Sequence, residues 1–322
     1  AWVDAHVHLD KTDTVAQVSG AEGDLFAAIA RMDAHRRNWT GPDLHDRMHR
    51  AIDEAWRSGT RALRTHLDWV EPGQTPVALK VFEQLRRDWR GRVALQFASL
   101  TPLDRFDAPG ALAHTARTVQ AAQGVLGAFV YRNADLGAKL RRLMAAAAEH
   151  ALHLDLHIDE GLHLDAVGLQ TAADLVQAFG LTGRVLCSHA CSLSVQPPRQ
   201  AEATLAACAR AGIHLVALPS TNLYLQGAWD GTPVERGVTR LREARALGVS
   251  TGIATDNVAD GFFPYGSYDL LDTFALGVQV AHLAPVGAWL DAITTLPARA
   301  LGLPWDGRLQ PGCPADLVVL AA

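Results

Sequence analysis

The sequence predicts an α/β protein built as a (β/α)8 barrel of the TIM type. Three observations carry that prediction. Eight short apolar runs punctuate the 322 residues. Most of them recur at about the 30-residue length of a βαβ unit, and the segments between them carry helix start and stop signals. Runs that are apolar throughout read as strands covered on both faces, and hence as a parallel sheet. Eight such units suit a closed barrel better than an open doubly wound sheet, which usually has fewer strands.

The runs, in order, are Val3–His8, Ala62–His66, Val93–Ser99, Val125–Val130, Leu152–His157, Val185–His189, Ile213–Leu218 and Thr251–Asp256. Between the first two, Leu44, Met48, Ile52 and Trp56 form one apolar stripe at helical spacing, stopped by Gly59. Thr75-Pro76 reads as an N-cap and first-turn pair before Val77, with Gly91 as the matching C-terminal stop. Ala145–Ala148 is helix interior, and Pro233 opens a further helix that Gly248 closes.

Composition narrows the function. With 49% hydrophobic and 20% charged residues the chain is an ordinary globular protein. Its 29 basic residues against 34 acidic ones, a net charge of −5, give no electrostatic footprint for nucleic acid. No apolar run approaches the roughly 20 residues of a membrane span. The 4 cysteines are too few and too unevenly spaced for a disulfide framework, which points to a reducing, cytoplasmic setting. The chain opens Ala1-Trp2-Val3-Asp4-Ala5-His6 without Met or a signal-peptide n-region, so further sequence upstream is expected.

A barrel of this kind places its chemistry at the C-terminal ends of the strands. The polar residues closing the runs are His6 and His8, His66 and Asp68, His157, His189, and Asp256. Residues two apart on a strand share a face, so His6 and His8 point together. In a chain with 14 histidines a bare His-x-His fits a satisfied core pair better than a metal site. Its company at the other strand ends shifts the balance. Three imidazoles and a carboxylate suit one borderline divalent ion, Zn²⁺ or Fe²⁺, whereas Ca²⁺ and Mg²⁺ prefer oxygen ligands. Cys187, His189 and Cys191 stand too close in sequence for the usual zinc-finger spacing. No strand offers a well-placed Lys or Cys to bridge a second ion.

Along almost its whole length the sequence resembles the amidohydrolase superfamily, and within it the cytosine deaminase-like branch. The resemblance rests on His6-x-His8-x-Asp10, Arg64-Thr65-His66-Leu67-Asp68, His157-x-Asp159-Glu160 and Ser188-His189. It extends through Leu223-Tyr224-Leu225-Gln226-Gly227, Asp256-Asn257 and Asp260-Gly261-Phe262-Phe263-Pro264-Tyr265-Gly266. It implies that His6, His8, His157 and Asp256 hold one metal ion, that Glu160 shuttles protons, and that His189 polarises the attacking water or touches substrate. Asp256 then also takes part in catalysis. Such an ion can lower the pKa of water from 15.7 to about 7, and a carboxylic acid near the ring supplies general acid–base catalysis. His66, Gln226, Asn257 and Phe262 are the candidate substrate contacts, with His66 equally able to support the metal ligands from behind, and Asp4 and Asp159 are expected to face elsewhere.

Two departures from the branch bear on substrate. The stretch Phe97–Leu103 lacks the Gln that reads a pyrimidine edge in cytosine deaminases. Asn257 and Phe262 stand where the branch has Asp and Trp. A site that hydrogen-bonds one substrate edge rejects analogues strongly, so the expected substrate is a related small nitrogenous heterocycle rather than cytosine itself. The rival readings are an amidohydrolase of another type, dealkylating a triazine or opening a cyclic amide, and a non-catalytic ligand-binding barrel, which would have no need of Glu160. The partner is a small heterocycle, not nucleic acid or membrane, with a homo-oligomer left open. The resemblance also implies that residues 1–303 form the barrel and 304–322 the remnant of a small β-sandwich made by the chain ends.

Overall fold

The computed structural model describes residues 1–18, 23–308 and 310–320. Eight parallel strands lie side by side in chain order: β1 (Trp2–Val7), β2 (Thr60–Asp68), β3 (Ala94–Pro102), β4 (Leu126–Val130), β5 (Leu154–Ile158), β6 (Val185–His189), β7 (His214–Ala217) and β8 (Ser250–Ile253). The first crossover carries α1 (Leu25–His35) and α2 (Gly41–Arg57). The next crossovers carry α3 (Val77–Asp88), α4 (Ala111–Ala121), α5 (Leu136–Glu149), α6 (Gly168–Val176) and α7 (Pro198–Ala211). After β7 come α8 (Pro219–Leu225) and α9 (Leu241–Ala246), and after β8 come α10 (Leu270–Val280) and α11 (Thr295–Ala300). This is a (β/α)8 barrel of the TIM type. Among the described residues no helix is long and apolar enough to cross a membrane.

The sheet is buried on both faces, as its apolar runs require. Outward side chains such as Leu63 and Leu67 of β2, Phe97 of β3 and Leu154 and Leu156 of β5 share one core with Leu44, Met48 and Ile52 of α2 and Phe82 of α3. Inside, the N-terminal base of the barrel is packed with Val3, Ala5, Ala62, Leu186, Val216 and Ala254, and is plugged by Ala298 of α11. Strands β3 and β4 approach so closely that a Cβ on Gly127 would lie 2.0 Å from the Ser99 carbonyl oxygen. Only glycine fits there.

Three helix expectations need correction. Thr75 makes no cap; α3 begins after Pro76, and Gly91 adopts its left-handed φ of +81° in the turn beyond the helix end. Trp56 does not join its stripe in the core but leans outward against Trp89. No helix starts at Pro233, because the chain turns at Gly227 and Gly237, both with positive φ, and becomes helical only at Leu241. Residues 310–320 carry no assigned strand. They run beside the start of the chain, where Ala1 N donates to the Asp316 carbonyl at 3.3 Å and Arg61 pairs with the Asp316 carboxylate at 3.0 Å. Leu309, Ala321 and Ala322, part of the expected sandwich segment, lie outside the described residues.

Candidate metal centre

Strand parity decides which side chains reach the barrel axis. Leu154, Leu156 and Ile158 of β5 pack outward, which turns Asp155 and His157 inward. Leu63 and Leu67 of β2 do the same for Arg64 and His66. On β1 the alternation breaks: Val3 and Ala5 fill the interior base, whereas Val7 and Leu9 join the outer core. The register against β2 shifts between Asp4 and Val7, and this bulge lets His6 and His8 face inward above Ala5.

His189 and Asp256 reach the axis through strained backbone, each with φ of +68°. Cys187 packs outward, so plain alternation would send His189 out as well; the left-handed residue redirects it. Such strain costs about 1–3 kcal/mol per residue and persists only where the surroundings enforce it. Barrel closure also falls on Asp256. Asp256 N donates to His6 O at 2.9 Å, within the bridge that joins Val7 to Asp256. Asp4 braces this seam from outside the cluster, accepting from Thr255 N at 3.2 Å and from the Thr255 hydroxyl.

The inward groups converge tightly. Asp256 Oδ1 lies 3.4 Å from His6 Nε2 and 3.2 Å from His8 Nε2, and His157 Nε2 lies 3.3 Å from His8 Nε2. Ligand atoms of His6, His8, His66 and His157 lie within 4.8 Å of one another, as do those of His6, His189 and Asp256. Burial, with Lys11 beside it, pushes His8 well below the usual histidine range, and burial with the neighbouring imidazoles does the same to His157. Both rings are neutral and keep lone pairs for a cation. Burial alone would raise Asp256, yet His6 and His8 hold it well below the carboxylate range. His6 Nε2 and both Asp256 oxygens are buried with no hydrogen-bond partner among the described residues. Orphaned buried atoms cost about 1–3 kcal/mol each, and a divalent cation would satisfy them together. The donor set fits a metal ion.

His66 is bound differently. Its ring lies 4.0 Å from that of His6, but its Nε2 faces Asp155 Oδ1 at 3.0 Å. Arg64 donates to Asp155 Oδ2 at 2.9 Å and to Gln96 Oε1 at 3.0 Å. Burial would raise Asp155, but His66 and Arg64 hold it far down. His66, expected either to support the ligands from behind or to touch substrate, lies against His6, bound to Asp155, and is not part of the cavity wall.

Above the cluster, Glu160 Oε1 lies 3.3 Å from His189 Nδ1, and Asn222 Nδ2 donates to the same nitrogen at 3.0 Å. Burial pushes Glu160 well above the carboxylate range, with Asp256 adding to it, and pushes His189 down to about 3. An accepting Nδ1 assigns the proton of neutral His189 to Nε2. Asp159 points away, as expected, and accepts from Gly168 N and Leu169 N at the start of α6.

These groups floor a cavity of about 710 Å³, its open mouth included. Its walls are Leu25 and Ile29 of α1, Leu100 and Pro102 of β3, Phe129 of β4, and Asn257 and Phe262 beyond β8. Its rim carries Lys11, Asp33, Arg36, Asp68 and Arg105. Asp68 takes both Lys11 and Arg36, the latter at 2.9 Å. Asn257 is tied to Asp260 at 2.6 Å. Gln226 lies instead on a second groove, with Tyr131 and His163, which meets Glu160 from the other side. Sequence reasoning missed Arg64, Asp155, Asn222 and the contribution of α1. Arg64 and Asp155 could have been found, since each stands two residues before a singled-out histidine on the same strand face.

Known proteins resemble the chain over all or nearly all of its length. A family model described as the amidohydrolase family matches residues 43–322. A pterin deaminase of Rhizobium rhizogenes is 38% identical over 324 residues, covering 100% of this chain and 74% of the relative. Among solved structures, 5-methylcytosine deaminase from Klebsiella pneumoniae superposes with a TM-score of 0.89 at 25% identity, over 98% of this chain and 78% of that one. N-isopropylammelide isopropylaminohydrolase from Burkholderia multivorans gives 0.77 at 25% identity, over 94% and 75%.

Proposed function

The chain belongs to the amidohydrolase family, and from that membership we propose that it is a metal-dependent hydrolytic deaminase of a small nitrogen heterocycle, with a bicyclic pterin-type ring as the substrate class. The observation that carries the reading is the Glu160–His189 pair, 3.3 Å apart, at the cavity floor beside the buried imidazole–carboxylate cluster. His6, His8, His157 and Asp256 would hold the cation, Zn²⁺ or Fe²⁺ by donor type. When bound there, it supplies a water molecule acidified to about pKa 7.

The rest is done by the chain's own side chains. Glu160, with its raised pKa, takes a proton from the attacking water and passes it to a ring nitrogen. It then takes the second proton from the hydroxyl added at the ring carbon and delivers it to the departing amine as the C–N bond breaks. General acid–base work of this kind contributes about 10²–10⁴ in rate. His189, fixed by Asn222, presents Nε2–H to the oxygen adding at the ring carbon, as an oxyanion donor would. Phe129 and Phe262 offer aromatic surface to a flat ring, and Asn257, held by Asp260, offers it a hydrogen bond. Leu100 and Pro102 line the β3 side, where a pyrimidine-reading amide would be needed for cytosine. The pterin deaminase, with 38% identity across the chain, supports the bicyclic ring. The N-isopropylammelide relative favours a second reading, amine release from an alkylated triazine.

Ammonia release from pterin, set against isopropylamine release from N-isopropylammelide, separates the two. Glu160→Gln should keep the metal and lose at least about 10²-fold in kcat. Unchanged turnover with the metal retained would remove Glu160 from the reaction.

A further inference from the structure

We propose that Arg105 forms an anion subsite at the outer end of the cavity, so that the preferred ring carries a carboxylate on the edge opposite the amino group that is removed. The inference deepens the deaminase reading and rests on it. Three cations face the cavity: Lys11, Arg36 and Arg105. Lys11 is bound to Asp68, and Arg36 is shared between Asp33 and Asp68, at 2.9 Å from each. Arg105 differs. Among the described residues its guanidinium has neither a hydrogen-bond nor an ion-pair partner.

Arg105 is exposed at the cavity mouth, on a turn whose backbone is fixed. Arg105 belongs to the short 3₁₀ turn Leu103–Asp107 that follows β3. Leu103 and Phe106 anchor the turn in the core. The two carboxylates flanking Arg105 in sequence are committed elsewhere: Asp104 to Lys139 of α5 at 2.6 Å, and Asp107 to Lys139 at 3.1 Å and to Arg142. The turn is therefore pinned on its far side, while the guanidinium is left to the cavity. A guanidinium is always charged, and its planar fork of donors matches a carboxylate. A flat bicycle lying between Phe129 and Phe262, with its amino-bearing carbon at the floor, turns its opposite edge toward this rim.

The test is steady-state kinetics of the metal-loaded protein with pterin and with pterin-6-carboxylate, whose carboxylate lies at the far end of the bicycle from the 2-amino group. The wild type should prefer the carboxylate in kcat/KM by about tenfold or more, the scale of one charge-assisted hydrogen bond. Added salt should erode that preference. Arg105→Ala should abolish it through KM while leaving pterin itself within about twofold, and Arg105→Lys should restore part of it. Equal losses on both rings, or a preference untouched by Arg105→Ala, would overturn the anion subsite alone. Turnover of neither ring would overturn the pterin reading and the subsite with it.

Discussion

The floor of the cavity and its rim are made of different material. The floor is carried by strands and strand ends: Arg64 and His66 on β2, Asp155 and His157 on β5, His189 on β6, and Asp256 just beyond β8. Every one of these side chains is buried, and charges meet partners across the barrel axis, as Arg64 and Asp155 do. The rim is carried by the segment after β1, the end of β2, the turn after β3 and the loop after β8; its Lys11–Asp68 pair is buried, while Asp33, Arg36 and Arg105 reach toward solvent. A barrel can thus keep its chemistry in the rigid sheet and leave substrate choice to segments that change at little cost to the core.

The largest effect that would test this division lies at the floor. His157→Ala removes one donor from the cluster, and the cation should be lost with it, dropping kcat by more than the loss expected for Glu160→Gln. Elemental analysis of the dialysed variant reads the outcome directly, and full occupancy would show that the ligand set excludes His157. One layer down, Asp155→Ala leaves Arg64 buried without its carboxylate. Removing one partner of a buried pair costs about 3–5 kcal/mol, which denaturant unfolding of the metal-loaded protein would measure. A change under about 1 kcal/mol would mean that the floor is no more demanding than an ordinary surface.

The same division explains what could be read from sequence. The eight strands were legible because a strand covered on both faces has to be apolar throughout; β6 was read at its observed bounds, Val185–His189. The polar residues ending those runs then stood out, and period-two spacing placed His6 and His8 together. Alternation alone could not show that a bulge turns that pair inward above Ala5, nor that a left-handed φ redirects His189. The rim left still less trace. Leu25, Arg36 and Arg105 belong to two unrelated crossovers, and no spacing connects residues that only the closed barrel brings to one cavity. The loop before α9 was misread because Pro233 resembles a helix start, while the glycines at 227 and 237 turn the chain instead.

Two buried carboxylates sharpen the contrast further, because floor and rim shift them in opposite directions. Asp155 meets the Arg64 guanidinium and the His66 ring and stays ionised. Asp260, behind the rim, meets only neutral donors: Phe262 N at 2.8 Å, Phe263 N at 3.0 Å and the Asn257 amide. Burial raises Asp260 from 3.8 to about 7, the hydrogen bonds and the charge of Lys11 offsetting only part of the shift. Between those two values the folded protein holds a proton that the unfolded chain has released. Stability from this group is therefore full below about pH 4 and is lost as pH rises through 7, with a slope of at most about 1.4 kcal/mol per pH unit. Asp260→Asn mimics the protonated acid and should flatten the decline in melting temperature between pH 4.5 and 7.5 relative to wild type. It should also keep Phe262 and Asn257 in place, so the KM for pterin should change little at pH 6. Parallel melting curves for the two proteins would mean that Asp260 is ionised across that range, and that the rim, like the floor, supplies its carboxylate with an effective counter-charge.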